Sequence, residues 1–253
     1  MNQGIFVTAT GTDVGKTYVS GLLVKALRAR GINAGYFKPA LSGAEREGGR
    51  LVPGDARWVC RTAGLPGDPA DYVAYLYEQA VSPHLAARLE GPPIELAAIL
   101  ERQRAVGERF AYLVAEGCGG LFCPLREGEP PLLLADVAAA IGFDLLLVAP
   151  SGLGAIHAAV VTAAYAERLG LPVRGILLNR FDEENIIHRD NREQIARFTG
   201  LPVAAVPEGA VEWDQMCIRD RADPASGRIF PGWRRGRRRW FRAVPFWWRP
   251  AGR

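Results

Sequence analysis

Residues 6–23, FVTATGTDVGKTYVSGLL, restrict the fold more than any other stretch of the chain. An apolar run passes through small residues and glycines, and apolar residues then recur on one helical face from Val19 to Leu27. Gly31 follows as a suitable helix stop. Because backbone N–H groups at a helix N-terminus bind anions, a strand, a loop and a helix in this order predict a phosphate-binding loop.

Lys16 and Thr17 stand where that strand becomes the helix. In such a loop the lysine reaches terminal phosphate oxygens and the threonine hydroxyl ligates Mg²⁺. The common spacing G-x4-G-K-[ST] requires glycine at position 10, where this chain has Thr10. Either the loop is one residue longer than the common form, or the match is accidental; the order of elements favours the longer loop.

The rest of the body alternates strand and helix patterns. Apolar strands are predicted at 33–37, 111–116, 143–149, 173–179 and 203–206, with a polar loop from 38 through Pro53 and helices such as 154–169. Near-continuous apolar strands separated by helices are typical of a parallel sheet covered on both faces. We therefore predict a doubly wound, mostly parallel α/β fold, formed as a single domain over residues 1–213.

The net charge of +4 averages two unlike regions. From Asp214 onward the chain has eleven arginines and three acidic residues, whereas the body is mildly acidic and carries no sign of a nucleic-acid groove. The tail, 214–253, mixes arginine, tryptophan and proline without periodicity. It fits either an arginine-aromatic arm for nucleic acid or anionic membrane, or a sequence foreign to the gene. The abrupt change favours the second, and we expect the tail to lie outside the fold and assign it no function.

Signals for a membrane span and for a zinc site are weak in this sequence. No apolar run approaches the roughly 18 residues of a membrane span, and the first residues lack the basic segment of a secretory signal. The four cysteines, Cys60, Cys118, Cys123 and Cys217, have no zinc-site spacing. These features predict reduced thiols and a cytoplasmic protein that acts on neither nucleic acid nor membrane.

Three further charged residues fall near predicted strand ends or helix starts. Lys38, in GYFKPALSG, is placed just past strand two, where α/β sheets bind ligands. Glu116 ends a buried strand in LVAEGCGG, a place where phosphate-loop enzymes hold Mg²⁺ with a carboxylate. Taken alone, Lys38 is an ordinary loop lysine, Glu116 a turn residue, and Asp55, in PGDARW, a helix N-cap.

Taken together, these segments resemble dethiobiotin synthetase over roughly residues 4–207. ATGTDVGKT resembles that family's extended loop G-x5-G-K-T, and KPALSG resembles its KPxxSG segment. SPHLAA, EGCGGLFCPL and SGLGAIHAAVVTAAYAERLG resemble three more family segments. The resemblance implies a Mg²⁺-dependent ligase that converts 7,8-diaminononanoate, CO₂ and ATP into dethiobiotin, ADP and phosphate, and it implies a homodimer.

The resemblance also assigns roles to single residues. Lys16 and Lys38 neutralise charge on the carbamate and γ-phosphate, with Lys38 most tied to catalysis, and Ser42 contacts the diamine. Thr17, Asp55 and Glu116 hold Mg²⁺. The triphosphate cradle consists of Thr12, Asp13, Val14, Gly15, Lys16, Thr17 and Tyr18. Nucleotide and substrate are further flanked by Glu116, Gly117, Cys118 and Gly119, and adenine by Asn179, Arg180, Pro207, Glu208 and Gly209. The turn at 151–157 reaches the substrate carboxylate of a neighbouring subunit.

Several positions depart from the family pattern. Ala9 replaces a glycine, which requires that Ala9 keep a negative φ angle. The family's Ile-Asn-His reads Ile156-His157-Ala158 here, so His157 is no candidate for catalysis. Arg180 follows Asn179 where the family often has aspartate.

Other functions were weighed on the same residues. Glutamine-dependent amidotransferases of this superfamily need a second domain for which the body has no room. Partition and division-site ATPases, which act as nucleotide-gated switches, carry an extra lysine five residues before the loop lysine, and that position is Gly11 here. An inactive chain of the same ancestry, its C-terminus corrupted, is a further alternative.

Overall fold

The computed structural model describes residues 3–212, so the predicted tail and Cys217 lie outside the described residues. Strands, numbered in chain order, are β1 (Gln3–Ala9), β2 (Ala34–Leu41), β3 (Glu45–Glu47), β4 (Arg50–Val52), β5 (Val73–Leu76), β6 (Tyr112–Glu116), β7 (Pro124–Arg126), β8 (Leu132–Leu133), β9 (Asp144–Pro150), β10 (Val173–Phe181) and β11 (Val203–Pro207). Helices are α1 (Lys16–Ala29), α2 (Gly54–Ala63), α3 (Pro83–Glu90), α4 (Leu96–Gly107), α5 (Leu134–Ile141), α6 (Ala155–Arg168) and α7 (Ile186–Thr199), with a 3₁₀ turn at Pro69–Tyr72.

Seven of these strands form one parallel sheet in the order β11-β10-β9-β1-β6-β2-β5. Strand β1 lies between β6 and β9. The next strands of this sheet in the chain, β2 and β5, form one edge, and β9, β10 and β11 later extend the sheet to the other edge. In open α/β sheets the ligand crevice lies at the carboxyl ends of the strands, where the order reverses. The phosphate loop follows β1 at that place.

The strands form because both faces of the sheet are covered. Phe6 and Val7 point to opposite faces, and neither has exposed surface. Helix α1 packs on β1, β2 and β6, whereas α6 packs on β9 and β10. The predicted doubly wound α/β fold is confirmed. Among residues 3–212, no helix is long and apolar enough to cross a membrane.

Strand β2 differs from the prediction. It runs to Leu41, so Lys38 lies inside the strand and not past its end. The strand pairs with β6 up to Phe37 and with the edge strand β5 from Lys38 onward. The segment predicted as a polar loop through Pro53 also contains the antiparallel hairpin of β3 and β4.

Candidate active site

The predicted phosphate loop connects β1 to α1. Gly15 has a φ of 95° and caps the helix, which begins at Lys16, and Asp13 has a φ of 58°. A Cβ at position 15 would lie 2.0 Å from Nδ2 of Asn179, so both the backbone angle and the close approach require glycine. Ala9 stays in strand conformation at the end of β1, which meets the condition set by its replacement of glycine.

Lys38 lies at the centre of a group of side chains, here called the Lys38 cluster (Thr17, Lys38, Asp55, Glu116), in which Lys38 and Glu116 are buried and Thr17 and Asp55 are partly exposed. Its Nζ is 2.6 Å from Oε1 of Glu116 and 2.7 Å from Oδ2 of Asp55. Thr17 Oγ1 donates to the same Glu116 Oε1 at 2.7 Å, and the Tyr36 hydroxyl donates to Glu116 Oε2 at 3.0 Å. Strands β2 and β6 and helices α1 and α2 thus bring one residue each to a single point.

The charges of the cluster explain the pKa shifts of its members. Burial lowers the pKa of Lys38, but the Glu116 and Asp55 carboxylates outweigh burial and hold that pKa above the ordinary lysine value. Burial raises the pKa of Asp55, yet the Lys38 ammonium brings it below the usual aspartate range. Asp55 is not a helix N-cap: α2 is capped by Pro53, and Asp55 lies in the first turn.

Lys16 is the second lysine of the site. Its Nζ donates to the Gly11 carbonyl at 2.9 Å, so the side chain folds back over the phosphate loop. Burial, and then the neighbouring Lys38 ammonium, lower the pKa of Lys16. Two ammonium groups therefore face one region, which suits a ligand with several negative charges.

A cavity of about 990 Å³ brings the loop and the Lys38 cluster together. The predicted site residues on its wall are Thr12, Asp13, Gly15, Lys16, Thr17, Tyr18, Lys38, Ser42, Asp55, Glu116, Cys118, Gly119 and Arg180. The predicted residues that do not line it are Val14, Gly117, Asn179, Pro207, Glu208 and Gly209. The volume fits small-molecule substrates.

Asn179 contacts the loop backbone in this structure. Its Nδ2 donates to the Val14 carbonyl at 2.9 Å, and the side chain is buried. The Asn179 carbonyl accepts from Ser151 Oγ at 2.7 Å, and Asn191 Nδ2 donates to the Ser151 carbonyl at 2.7 Å. These bonds connect the phosphate loop with the turn after β9; the adenine role of Asn179 stays a prediction.

The sequence analysis missed several residues of the site, among them Tyr36, Trp58 and Cys123. The cavity wall also includes Ala40, Leu41, Gly54, Ala80, Val81, Ser82 and Pro83. Tyr36 lies two residues before Lys38 on the same face of β2, and strand alternation could have found it. Trp58 lies three residues after Asp55 on one face of α2 and lines the cavity. Cys123 also lines the cavity; it lies in EGCGGLFCPL, one of the segments that resemble the family, but no role was assigned to it.

Comparisons with known proteins identify the relatives of this chain. A family model described as an AAA domain matches residues 3–217. The ATP-dependent dethiobiotin synthetase of Clostridium novyi strain NT is 44% identical over 207 residues, which span 81% of this chain and 87% of the relative. The protein of the same name from Clostridium botulinum strain Loch Maree, type A3, is 41% identical over 203 residues, 80% of this chain and 89% of the relative.

Among solved structures, the septum site-determining protein MinD of Pyrococcus horikoshii, complexed with Mg-ADP, matches with a TM-score of 0.52 at 17% identity. The match covers 82% of each chain. A likeness at this identity shows the fold and does not bear on activity. The sequence relatives are far more similar and cover most of both chains, and on that ground the chain belongs to the ATP-dependent dethiobiotin synthetase family.

Proposed function

We propose that this chain is an ATP-dependent cyclo-ligase that forms the ureido ring of dethiobiotin from 7,8-diaminononanoate and CO₂, a step of biotin biosynthesis. The observation that carries the proposal is the buried Lys38, held on one cavity wall with the phosphate-loop residues Lys16 and Thr17. ATP is the co-substrate, and ADP and phosphate are released.

The reaction needs positioning and charge neutralisation, and no protein nucleophile. The carbamate of the diamine attacks the γ-phosphate to give a carbamic–phosphoric anhydride, and the second amine closes the ring and expels phosphate. Lys16 and Lys38 neutralise the oxygens that approach each other in the first step. Groups fixed before the reaction lower its barrier because little reorganisation is needed.

The cluster also fits Mg²⁺. The Lys38 ammonium contacts the Asp55 and Glu116 carboxylates, and Thr17 Oγ1 donates to Glu116, so oxygens of three side chains lie close together. Mg²⁺ prefers oxygen ligands and is commonly held by one or two carboxylates together with substrate phosphates. When bound, the ion supplies positive charge to the β- and γ-phosphate oxygens. Thr17, Asp55 and Glu116 would hold it.

Other roles complete the proposed site. Ser42, on the cavity wall beside Lys38, contacts the diamine. Asn179, Arg180 and the segment Pro207–Gly209 form the adenine side. Residues 1–213 form the catalytic unit, since the sequence relatives match over just over 200 residues.

A homodimer is part of the proposal. Phe122, Leu153 and Val161 are large apolar residues with more than half of their surface exposed. The Phe122 ring contacts Tyr165 at 5.7 Å between centroids, and Val161 and Tyr165 share one face of α6. Exposed apolar residues grouped in this way are typical of an interface.

The unbonded thiols of Cys60, Cys118 and Cys123 support a cytoplasmic location.

The test is ADP release with and without 7,8-diaminononanoate and bicarbonate, from the full chain and from a chain that ends after Glu212. We expect release to require the diamine in both. ADP release that does not depend on the diamine would instead favour a nucleotide-gated switch. Loss of ADP release in the shortened chain alone would place part of the catalytic unit beyond Glu212.

Lys38→Ala sharpens this test. We expect the variant to lose diamine-dependent phosphate release by at least about 10²-fold, the size of effect found when one charge-stabilising group is removed. Binding of Mg·ATP is expected to stay largely intact, because the loop and Thr17 remain. Equal loss of binding and turnover would make Lys38 a nucleotide-binding residue.

A further inference from the structure

Cys118 and Cys123 are a pair of thiols on the cavity wall that the proposed reaction does not use. After β6 the chain turns through two glycines, and the Cys123 N–H donates to the Gly120 carbonyl at 2.9 Å. This turn places Cys123 against Gly119, the neighbour of Cys118, and brings the two thiols beside each other; the Cys123 thiol itself donates to the Pro124 carbonyl at 3.9 Å. Both residues line the cavity and both are partly exposed, so small solutes in the cavity can reach them.

The pair differs from the third cysteine that the structure describes. Cys60 is buried, and burial raises the pKa of its thiol to about 11. By contrast, the neighbouring Cys118 thiol lowers the pKa of Cys123 against the effect of burial, and the Lys16 ammonium adds to the lowering. A partly exposed thiol with a partner thiol beside it is the arrangement of reversible oxidation sites.

We propose that Cys118 and Cys123 form a reversible disulfide that closes the loop of residues 118–123 and blocks turnover at the adjoining site. The oxidant is a peroxide: Cys123 attacks hydrogen peroxide, becomes a sulfenic acid and releases one water. Cys118 then displaces the sulfenic oxygen as a second water, so two thiols and one peroxide give one disulfide and two waters. A small-molecule dithiol reverses the step by thiol exchange.

The turn gives the two sulfurs room to approach the bonding distance. Disulfide sulfurs lie about 2.05 Å apart, closer than two unbonded thiols. Gly119 has a φ of 114°, and a Cβ there would lie 3.4 Å from Sγ of Cys123. The absence of that Cβ leaves space for Cys123 to move toward Cys118. Glycine at both 119 and 120 also lets the backbone follow.

The consequence for the site follows from what surrounds the turn. Glu116, two residues before Cys118, belongs to the Lys38 cluster. On the other side, a Cβ at Gly120 would lie 3.1 Å from the Ala9 carbonyl oxygen, at the start of the phosphate loop. A contraction of residues 118–123 therefore shifts the part of the cavity wall that lies between the Lys38 cluster and the phosphate loop. This loss of turnover rests on the proposed function, whereas the disulfide itself does not.

The experiment uses the full chain with Cys217→Ser as the background, treated with hydrogen peroxide and digested without reduction. We expect peptide mass spectrometry to find residues 118 and 123 linked and two hydrogens lost, and dithiothreitol to reverse both. Adding Cys123→Ser should remove the link, and adding Cys60→Ser, the matched control, should keep it. Separate over-oxidised cysteines, or links between chains, would overturn the proposal.

The activity measurement is made on the same samples. We expect oxidation to lower diamine-dependent ADP release by on the order of tenfold or more, since small displacements in a site cost up to about 10²-fold in rate. Dithiothreitol should restore the rate, and peroxide should not change the rate of Cys123→Ser relative to the same variant kept reduced. A disulfide that leaves the rate unchanged would refute the block. If the reduced chain makes no dethiobiotin, the proposed function fails while the mapped disulfide still stands.

Discussion

Lys38 shows how one residue can support both the fold and the chemistry. Its ammonium is buried between two carboxylates, of which Glu116 has no exposed surface. Removing charges from water costs free energy, and the cost is offset only when each charge keeps its partners. Tyr36 and Thr17 donate hydrogen bonds to the Glu116 carboxylate. The site is thus stable only as a complete set of side chains.

Replacing Lys38 tests this dependence. Lys38→Ala leaves the buried Glu116 carboxylate without a counter-charge, and we expect a loss of about 3 kcal/mol in the free energy of unfolding, measured in urea. Mg²⁺ alone should stabilise this variant more than the original chain, because the ammonium no longer competes for the same oxygens. Breaking the exposed Arg46–Glu78 pair by Arg46→Ala is the control, and it should change stability little. An equally small change for Lys38→Ala would contradict the argument.

Asp55 gives the site a pH dependence whose sign follows from its pKa. Because Lys38 lowers that pKa below the ordinary value of 3.8, the folded state favours the ionised carboxylate. The stability it contributes is present above pH 3.8 and disappears as the pH falls through the lowered pKa. We expect the difference in unfolding free energy between the original chain and Asp55→Asn to be larger at pH 7 than at pH 3. A constant difference would mean that Lys38 does not stabilise the ionised form.

At the scale of elements, the sequence predicted the long strands and missed the short ones for a physical reason. Strands such as β9 are apolar throughout because both faces of the sheet are covered. The hairpin of β3 and β4 is short and largely exposed, with only Leu51 and Val52 half-buried, and is stabilised by its own pairing and by ion pairs from Arg57. Strand β2 was predicted to end at residue 37, but it continues to Leu41 and changes partner from β6 to β5 at Lys38.

The site was predictable to the extent that parallel strands end at one edge. Glu116 follows from that rule because it ends β6. Lys38 was assigned to the site by the same rule but lies inside β2, and its side chain meets Glu116 at 2.6 Å. The ion pair between Lys38 and Asp55 could not be foreseen, since it depends on how α2 packs against β2. The same holds for Cys123, which reaches the cavity only through the turn after β6.

The contact between α1 and α2 depends on Gly21. A Cβ there would lie 2.1 Å from Cζ3 of Trp58, whose ring also contacts Tyr18. We expect Gly21→Ala to destabilise the chain by about 1–2 kcal/mol, since overpacking costs about 1–3 kcal/mol and outweighs the higher helix propensity of alanine, worth about 1 kcal/mol. Urea unfolding measures the change.

Two further variants separate packing from propensity. Gly54→Ala, where a Cβ meets nothing within 4 Å, should leave stability unchanged or raise it slightly. Combining Gly21→Ala with Trp58→Phe should recover stability, because the smaller ring leaves room for the methyl group. If the double variant is less stable than Gly21→Ala alone, the added methyl group does not clash with Trp58.

For the whole molecule, the exposed apolar residues around α6 connect the proposed dimer to the proposed site. Asn191 donates to the carbonyls of Ser151 and Gly152, and Ser151 Oγ donates to Asn179, whose side chain bonds the phosphate loop. Leu153 and Phe122 lie in the turns that follow β9 and β6. A second chain bound to these residues would therefore be connected to the phosphate loop through a short series of hydrogen bonds.

Phe122→Asp tests that arrangement at the scale of the assembly. A charge in the middle of an apolar interface must be desolvated without a partner, so we expect the variant to elute as a monomer in size-exclusion chromatography with light scattering, where the original chain elutes as a dimer. Phe198→Asp alters an exposed phenylalanine on α7 and should keep the dimer. The monomer should also lose diamine-dependent turnover while still binding ATP, because the turn at 151–157 no longer meets a neighbouring substrate. Full turnover by a monomer would show that each chain contains its whole diamine site.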